Sequence, residues 1–563
     1  MHVVTNTRRR GERVYTTTLL RRSYREQGKV KKETLANLSH LPAELVELIR
    51  RHLGGERLVP AAEALSIERS VPHGHVAACL AMARSLELSR LLDRRPSRER
   101  DLALAMVVAR LLEPGSKLAT ARSLGRSTLA GELGVEGASE DDLYRALDWL
   151  EARQEGIEAR LAGRHLAAGD HVLYDLSSSY FEGRHCPLAA LGYSRDRKRG
   201  TLQITYGLLC DPKGRPVCVE VFEGNRHDHE TLDAQLAKLS ERFGLSRIVV
   251  VADRGMATKA NLDALAEAEG VGYITALEAP QVKRLVREGH FQPTLFDEHN
   301  LAEVESPDFP GERLVVCRNP LVAGERRRKR EDLLRATERE LAPIAERVAA
   351  GRLSDPGEIG VAVGEVVKRY RMRKHFRLEI SERRFAFARR TEQIAEEAAL
   401  DGIYVLRASM AQAELSAPDV VRSYKQLKEV ERNFRTLKGP ELEIRPIHHR
   451  LEGRVRAHVF LCMLALYLEW HLRECWRELT FADEEPPERP DPVAKAERSQ
   501  AAHTKAQRKR NGAGEAVGSF RDVLAELSLQ SKNTIRLAGT EATFDQLSQP
   551  TPVGARALEL IEG

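Results

Sequence analysis

None of the seven cysteines belongs to a CxxC pair. An odd, scattered set argues against a disulfide framework and against a zinc site, and fits a reducing cytosol. No GxxxxGK[ST] phosphate loop occurs, so an ATP-driven mechanism is not supported. Met1 to Arg10 contains no apolar h-region, and no signal peptide is expected. The longest apolar run, Val459 to Leu468, is too short to cross a bilayer, so no membrane partner is expected. Internal repeats are absent as well. What is present is a 563-residue chain, 42% hydrophobic and 31% charged, too long for one core. Three or more folding units are expected. The formal net charge is only +6, but the bases cluster at Arg8–Arg10, Arg326–Arg330, Lys368–Arg377 and Lys505–Arg510. Such runs can track phosphates, although each taken singly is as well explained as a solvated face.

Read in order, residues 1–58 form a small β/α module, with β-like runs (Val14 to Leu20) and a helix from Ala43 to Leu53 opened by Pro42. Residues 59–168 read as helical throughout and as a DNA-binding region. Glu140, Asp141 and Asp142 there open a helix, where negative charge is favoured, and are not taken as catalytic. From 169 to 277 the pattern changes. Val172-Leu173-Tyr174 is a short strand ending in Asp175. Leu202 to Leu208 and Val217 to Val221 alternate with period two. A helix bearing Leu232, Leu236, Leu239 and Phe243 follows, then Ile248 to Ala252, an unbroken apolar run suited to a central strand. It ends at Asp253-Arg254-Gly255. A further helix and the strand Val271 to Ala276 complete the order β-β-β-α-β-α-β. That order fits an α/β, RNase H-like core with a mixed sheet.

The core pattern lapses over 278–400, a charge-rich insertion containing an alternating run at Phe376–Ile380. It resumes over 401–478. Residues 479–516 are rich in Pro, Glu, Lys and Ala and read as a flexible linker. Residues 517–563 form a terminal piece without an assignment.

The stretch Tyr424 to Lys438 reads as one amphipathic helix, with Leu427, Val430, Phe434 and Leu437 on its buried seam. At about 100° per residue, Tyr424, Lys428, Glu431, Arg435 and Lys438 share the adjoining flank. An ordinary helix with intrahelical Glu/Lys pairs would also produce this pattern. The fold brings Asp175, Asp253 and Glu431 together, because the Asp175 and Asp253 strands are neighbours in it. Ligands in open α/β sheets bind at carboxyl ends of strands. Three carboxylates without a histidine suit hard cations such as Mg²⁺, two of which can drive an in-line phosphoryl displacement. Each aspartate could instead be a plain turn or cap residue. His227-Asp228-His229 reads as a helix start rather than a metal pair, and His448-His449 as loop.

These blocks resemble the DDE transposases of bacterial insertion sequences, in the branch with a Y-(2)-R-(3)-E-(6)-K signature. The matching residues are Tyr424, Glu431 and Lys438, with Asp175-Leu176-Ser177-Ser178, Gly224-Asn225 through Asp228, and Asp253-Arg254-Gly255-Met256. Leu427 stands where the signature has arginine, so Lys428 or Arg432 would supply that contact. The resemblance implies Asp175, Asp253 and Glu431 as catalytic metal ligands for two Mg²⁺ (or Mn²⁺) ions. It implies DNA contacts from Tyr424, Lys428, Arg435 and Lys438, and an insertion domain at 278–400. It further implies cleavage at terminal inverted repeats, strand transfer to target DNA, a homodimer or larger assembly on DNA, and action at the nucleoid. Trp149, Trp470 and Trp476 all lie outside 278–400, so the insertion offers no tryptophan for base flipping. A metal-dependent nuclease or resolvase on the same fold, and a non-catalytic DNA-binding descendant, are the alternatives.

Overall fold

The computed structural model describes the chain except residues 57–59, 61–62, 184, 197, 227–230, 232–241, 246, 257, 269, 292–295, 298, 489–490 and 563, and the side chains of 256 and 259. The expected helix at Leu232–Phe243 and the His227–His229 stretch thus lie largely outside the described residues. Two compact units are present: 1–71 with 531–548, and 72–530 with 549–563.

The larger unit is built on an eight-stranded sheet. Numbered within this sheet, its strands are β1 (His171–Tyr180), β2 (Gln203–Cys210), β3 (Pro216–Glu223), β4 (Ile248–Ala252), β5 (Val271–Ala276), β6 (Leu301–Val304), β7 (Arg313–Arg318) and β8 (Ile403–Ala408). Their spatial order is β6-β7-β8-β5-β4-β1-β2-β3. β4 runs parallel to β1 and to β5, whereas β2 and β3 are antiparallel neighbours on the far side. This is the mixed α/β, RNase H-like order that the strand pattern predicts. The β2 strand is buried along its whole length, and β4 nearly so, as continuous apolar runs require.

Behind the sheet, helices Gly74–Ser85, Arg98–Leu112, Glu140–Glu151 and Gln154–His165 share one apolar core with helix Glu452–Cys475. Ser139 caps the third of these and Asp142 closes a capping box, so the Glu140–Asp142 acids do open a helix. Glu452–Cys475 is long and apolar enough to cross a membrane by composition, but it is buried almost all round inside this core.

The 278–400 interval departs from a plain insertion. Two of its strands, β6 and β7, extend the main sheet past β8. The remainder has its own core. Helix Pro320–Ala349 packs on helix Pro356–Tyr370 and on the hairpin Phe376–Ser381/Arg384–Arg389, around Leu341, Val363 and Phe376.

The described residues of 479–516 are docked rather than a flexible linker. Lys425 Nζ donates to the carbonyls of Pro492, Val493 and Ala494 at 2.5–2.9 Å. Lys505 is buried against Arg477 O (3.0 Å) and Glu484 (2.6 Å). The polar composition that suggests a linker supplies the caps and carbonyl contacts that fasten it. Beyond it, helix Phe520–Ser528 packs on Gly74–Ser85, and buried Trp476 donates to Ala557 O at 2.9 Å.

The smaller unit contains an antiparallel sheet of His2–Arg10, Arg13–Glu26 and Lys29–Asn37, followed by helix Ala43–Leu53. A second sheet joins Leu65–Pro72, Ser531–Leu537 and Thr543–Leu547. Residues 59–168 are therefore not helical throughout, since Leu65–Pro72 is a strand. Its pairing partner comes from the far end of the chain, which local periodicity cannot disclose.

Candidate active site

The parallel register of β1 and β4 pairs Tyr174 with Ala252. The next residue on each strand is an acid, so Asp175 and Asp253 emerge side by side where β4 ends. Glu431 is carried by helix Leu427–Lys438, which packs on β1. Its seam of Leu427, Val430, Phe434 and Leu437 is buried, as the three/four spacing predicts. Phe434 packs edge-on against Tyr206 of β2 at 5.8 Å. Asn433 Nδ2 donates to Gly214 O at 2.8 Å. These contacts fix the helix axially and rotationally, and so aim Glu431.

Asp175 is half-buried, and the resulting desolvation pushes its carboxyl up to about 7; the neighbouring Asp253 and Glu431 charges push the same way. The backbone N–H of Leu176 (2.8 Å) and the charge of Arg195 oppose the rise. Thus Asp175 feels the charge of both other sequence-predicted acids, although the ligand oxygens of the three do not all lie within 4.8 Å of one another. Among the described residues none of them is held in an ion pair. All-oxygen, undercompensated carboxylates are the ligand type that suits a hard divalent cation.

Tyr424 and Lys438 are placed differently from the single-helix reading. The helix is interrupted at Gln426, which ends Ala417–Lys425 and begins Leu427–Lys438. Gln426 Oε1 meets His171 Nε2 at the foot of β1. Tyr424 thus belongs to the preceding helix, and its hydroxyl donates to Asp253 Oδ1 at 3.3 Å. Burial, then the Asp253 charge, raises the phenol well above its usual range. Lys438 is turned inward: its Nζ donates to Asp196 Oδ1 at 3.0 Å, and Arg445 grips the same carboxylate. Asp196 also accepts the Tyr180 N–H at 3.0 Å. Lys428, Arg432, Glu431 and Arg435 are exposed, with Lys428 and Arg432 3.6–3.8 Å from Glu429. Leu427, at the position of the signature arginine, is in the core.

The residues missed in the sequence are those of the β1–β2 connection. Arg195 N–H donates to Ser178 Oγ at 3.0 Å, and Lys198 Nζ sits 3.4 Å over the Tyr180 ring. The basic run Arg195 to Arg199 is the signal that would have found them. Elsewhere, Glu288, His290 and Asp308 bring ligand atoms within 4.8 Å of one another, but Arg284 already pairs with both acids.

The family model described as "Transposase DDE domain" matches residues 181–468, which include Asp253 and Glu431 and start just after Asp175. The "IS1634 family transposase, N-terminal domain" matches residues 3–59. No curated protein matches the chain. Among solved structures, one similar chain is a piggyBac transposase in a synaptic complex with hairpin DNA, at 10% identity and a TM-score of 0.35, covering 70% of this chain and 71% of that one. With over half its length matched by the first model, the chain belongs to the DDE transposases of insertion sequences, DNA-binding enzymes that cut and transfer DNA with the help of divalent metal.

Proposed function

We propose that Asp175, Asp253 and Glu431 are the catalytic carboxylates of this transposase and hold two Mg²⁺ ions, with Mn²⁺ able to substitute. The observation that carries this reading is the parallel β1/β4 register, which sets Asp175 beside Asp253 with the charge of Glu431 also felt at Asp175. Metal bound there would activate the attacking oxygen and stabilise the leaving one in an in-line displacement. The chain's own groups orient and neutralise. Tyr424 fixes the Asp253 carboxylate through its hydroxyl. Arg195 brings positive charge towards Asp175. Lys428 and Arg435, exposed on the Glu431 helix, are suited to contact phosphates flanking the scissile bond. Lys438 is on the same helix, and its bond to Asp196 supports a positioning role beside Arg445.

The DNA so handled is, on this reading, the terminal inverted repeats of the element and then the target. The working form is a homodimer or larger assembly on DNA at the bacterial nucleoid, in the cytoplasm. On this reading 1–168 recognises the repeats, 169–277 and 401–478 form the catalytic core together with the strands β6 and β7, and the rest of 278–400 is inserted between its halves.

Asp175→Ala, Asp253→Ala and Glu431→Ala test the assignment on a duplex carrying the element's end. Each should abolish Mg²⁺-dependent cleavage and joining while leaving duplex binding in EDTA within a few-fold of wild type. Near-normal cleavage by any one of them removes that acid from the metal site.

A further inference from the structure

The first 37 residues contain ten Lys/Arg against three Glu, an excess larger than the net charge of the whole chain. They fold into the antiparallel ribbon His2–Arg10/Arg13–Glu26 with Lys29–Asn37 alongside its second half. At the base, Val3, Val4, Leu19 and Leu20 are half-buried, and Leu38 and Val46 are buried near helix Ala43–Leu53. From Thr5 to Thr16 the ribbon is exposed on both faces. At about 3.4 Å per residue, that leaves roughly 20 Å of two-stranded ribbon projecting without a core. A lone two-stranded ribbon is marginal in water, so a projecting one calls for a partner.

Register decides what each face offers. Arg8 pairs with Tyr15 and Arg10 with Arg13, so Arg8, Arg10, Arg13 and Tyr15 stand on one face of the tip. The other face carries Arg9 with Val14, and Thr7 with Thr16. Among the described residues none of the tip arginines is paired with an acid. By contrast, at the other end of the sheet Arg22 pairs with Glu33 and Lys31 with Glu26. Unpaired arginines beside a tyrosine, on a strip two strands wide, match the major groove of double-stranded DNA, which is about 12 Å across and admits a β-ribbon. Guanidinium forks can take guanine edges or phosphates there.

We propose that this ribbon tip enters the major groove of duplex DNA through its Arg8/Arg10/Arg13/Tyr15 face, and that it is a principal part of repeat recognition. The proposal deepens the recognition role given above to 1–168, but it is independent of the acid assignment, because its test reads binding in EDTA. The full chain carrying Arg8→Ala, Arg10→Ala and Arg13→Ala is compared with one carrying Lys29→Ala, Lys31→Ala and Lys32→Ala, which removes equal charge from the same sheet. The probes are a 40-bp duplex with the element's terminal repeat and a scrambled duplex of the same composition. The tip variant should bind the repeat duplex at least ten-fold more weakly than the lysine variant does. Its salt slope should fall by about 2–3, one unit for each lost phosphate contact. Tyr15→Ala should weaken repeat binding without changing the salt slope. Equal losses in the two triple variants would reduce the ribbon to diffuse charge and overturn the proposal. So would undiminished binding with increased self-association, the result expected if the arginines only protect a strand edge. Circular dichroism and melting of both triples confirm that the comparison is made on folded protein.

Discussion

Lys438 and Asp196 form a buried ion pair at 3.0 Å, with side chains 13% and 2% exposed, across 242 residues of sequence. Arg445 shares the carboxylate, so Asp196 has two cations and the Tyr180 N–H as partners. Burial lowers the Lys438 ammonium, although Asp196 opposes the shift. Lys438→Ala should therefore act first on stability, costing about 1–3 kcal/mol, because Arg445 still compensates Asp196. With Arg445→Ala added, the loss should exceed the sum of the singles, since a charge is then buried alone. Arg435→Ala, by contrast, removes an exposed cation. It should leave the melting temperature unchanged and lower the salt slope of DNA binding by about one unit. Thermal melts and salt titrations on the four variants separate the roles. An unchanged melting temperature for Lys438→Ala would return that lysine to direct DNA contact.

Asp175 provides a second test, one that needs no DNA. Its folded carboxyl titrates at about 7, far above the ordinary aspartate. A raised carboxyl is a cost to the fold once pH passes the unfolded value near 4, and the cost is complete above pH 7. Asp175→Asn should thus raise the melting temperature of metal-free protein at pH 8, by an amount equivalent to about 1–3 kcal/mol. The same substitution should abolish the further rise that Mg²⁺ produces in wild type. Wild-type affinity for Mg²⁺ should weaken as pH drops below 7, because protons compete for the ligand. If the asparagine variant keeps the full metal-induced shift, Asp175 is not a ligand.

Acid sensitivity follows from the histidines. Burial holds His75, His165 and His471 down to about 4 and His449 to about 3, and it holds His458 well below its usual value. Between pH 6.5 and 4 the unfolded chain binds these protons and the folded chain does not. Stability therefore rises with pH through that window and is lost on acidification. Lys117, buried at 3.2 Å from His458 and lowered to about 7, extends the same upward slope between pH 7 and 10. Asp175 works in the opposite direction, one group against five. Urea midpoints in EDTA should fall by several kcal/mol equivalents from pH 7 to pH 5. A flat profile would mean that these rings are hydrated in solution.

The parts of this molecule that local pattern can encode were readable. The β4 run ending in Asp253, the seam of the Glu431 helix and the acids of the Ser139 capping box all have spacings that permit one satisfactory burial. What escaped was set at long range. The break at Gln426 has no glycine or proline to announce it; it coincides with a contact to His171. Leu65–Pro72 becomes a strand because Ser531–Leu537 pairs with it. β6 and β7 read as insertion because β8, the strand through which they join the sheet, begins only at Ile403, about 85 residues after β7 ends. Residues 479–516 look like a linker in composition, yet Lys425 and Lys505 tie them down.

The turn Asp211-Pro212-Lys213-Gly214 offers a way to move Glu431 without touching it. Asp211 holds the turn rigid: its carboxylate accepts the N–H groups of Lys213 (3.0 Å) and Arg215 (2.7 Å) and the Arg215 Nε (2.6 Å). Gly214 sits at φ +83, and a Cβ there would lie 2.6 Å from Glu429 Cβ, two residues before Glu431 on the same helix. Gly214→Ala must then strain the left-handed backbone and push the helix off its seat. The stability cost should be about 1–3 kcal/mol. A displacement of even about 1 Å can cost on the order of 10²-fold in rate when groups must meet in line. Cleavage should thus fall far more than stability, while DNA binding in EDTA stays normal, because the exposed cations still face outward. Adding Glu429→Gly removes the colliding Cβ. The double variant should recover much of the cleavage despite about 1 kcal/mol of lost helix propensity. That recovery distinguishes steric displacement of Glu431 from general destabilisation, which a second glycine would only deepen. Cleavage measured at a temperature where all three proteins are folded decides the matter. Wild-type rates in Gly214→Ala would show that the Glu431 helix is not positioned by this turn.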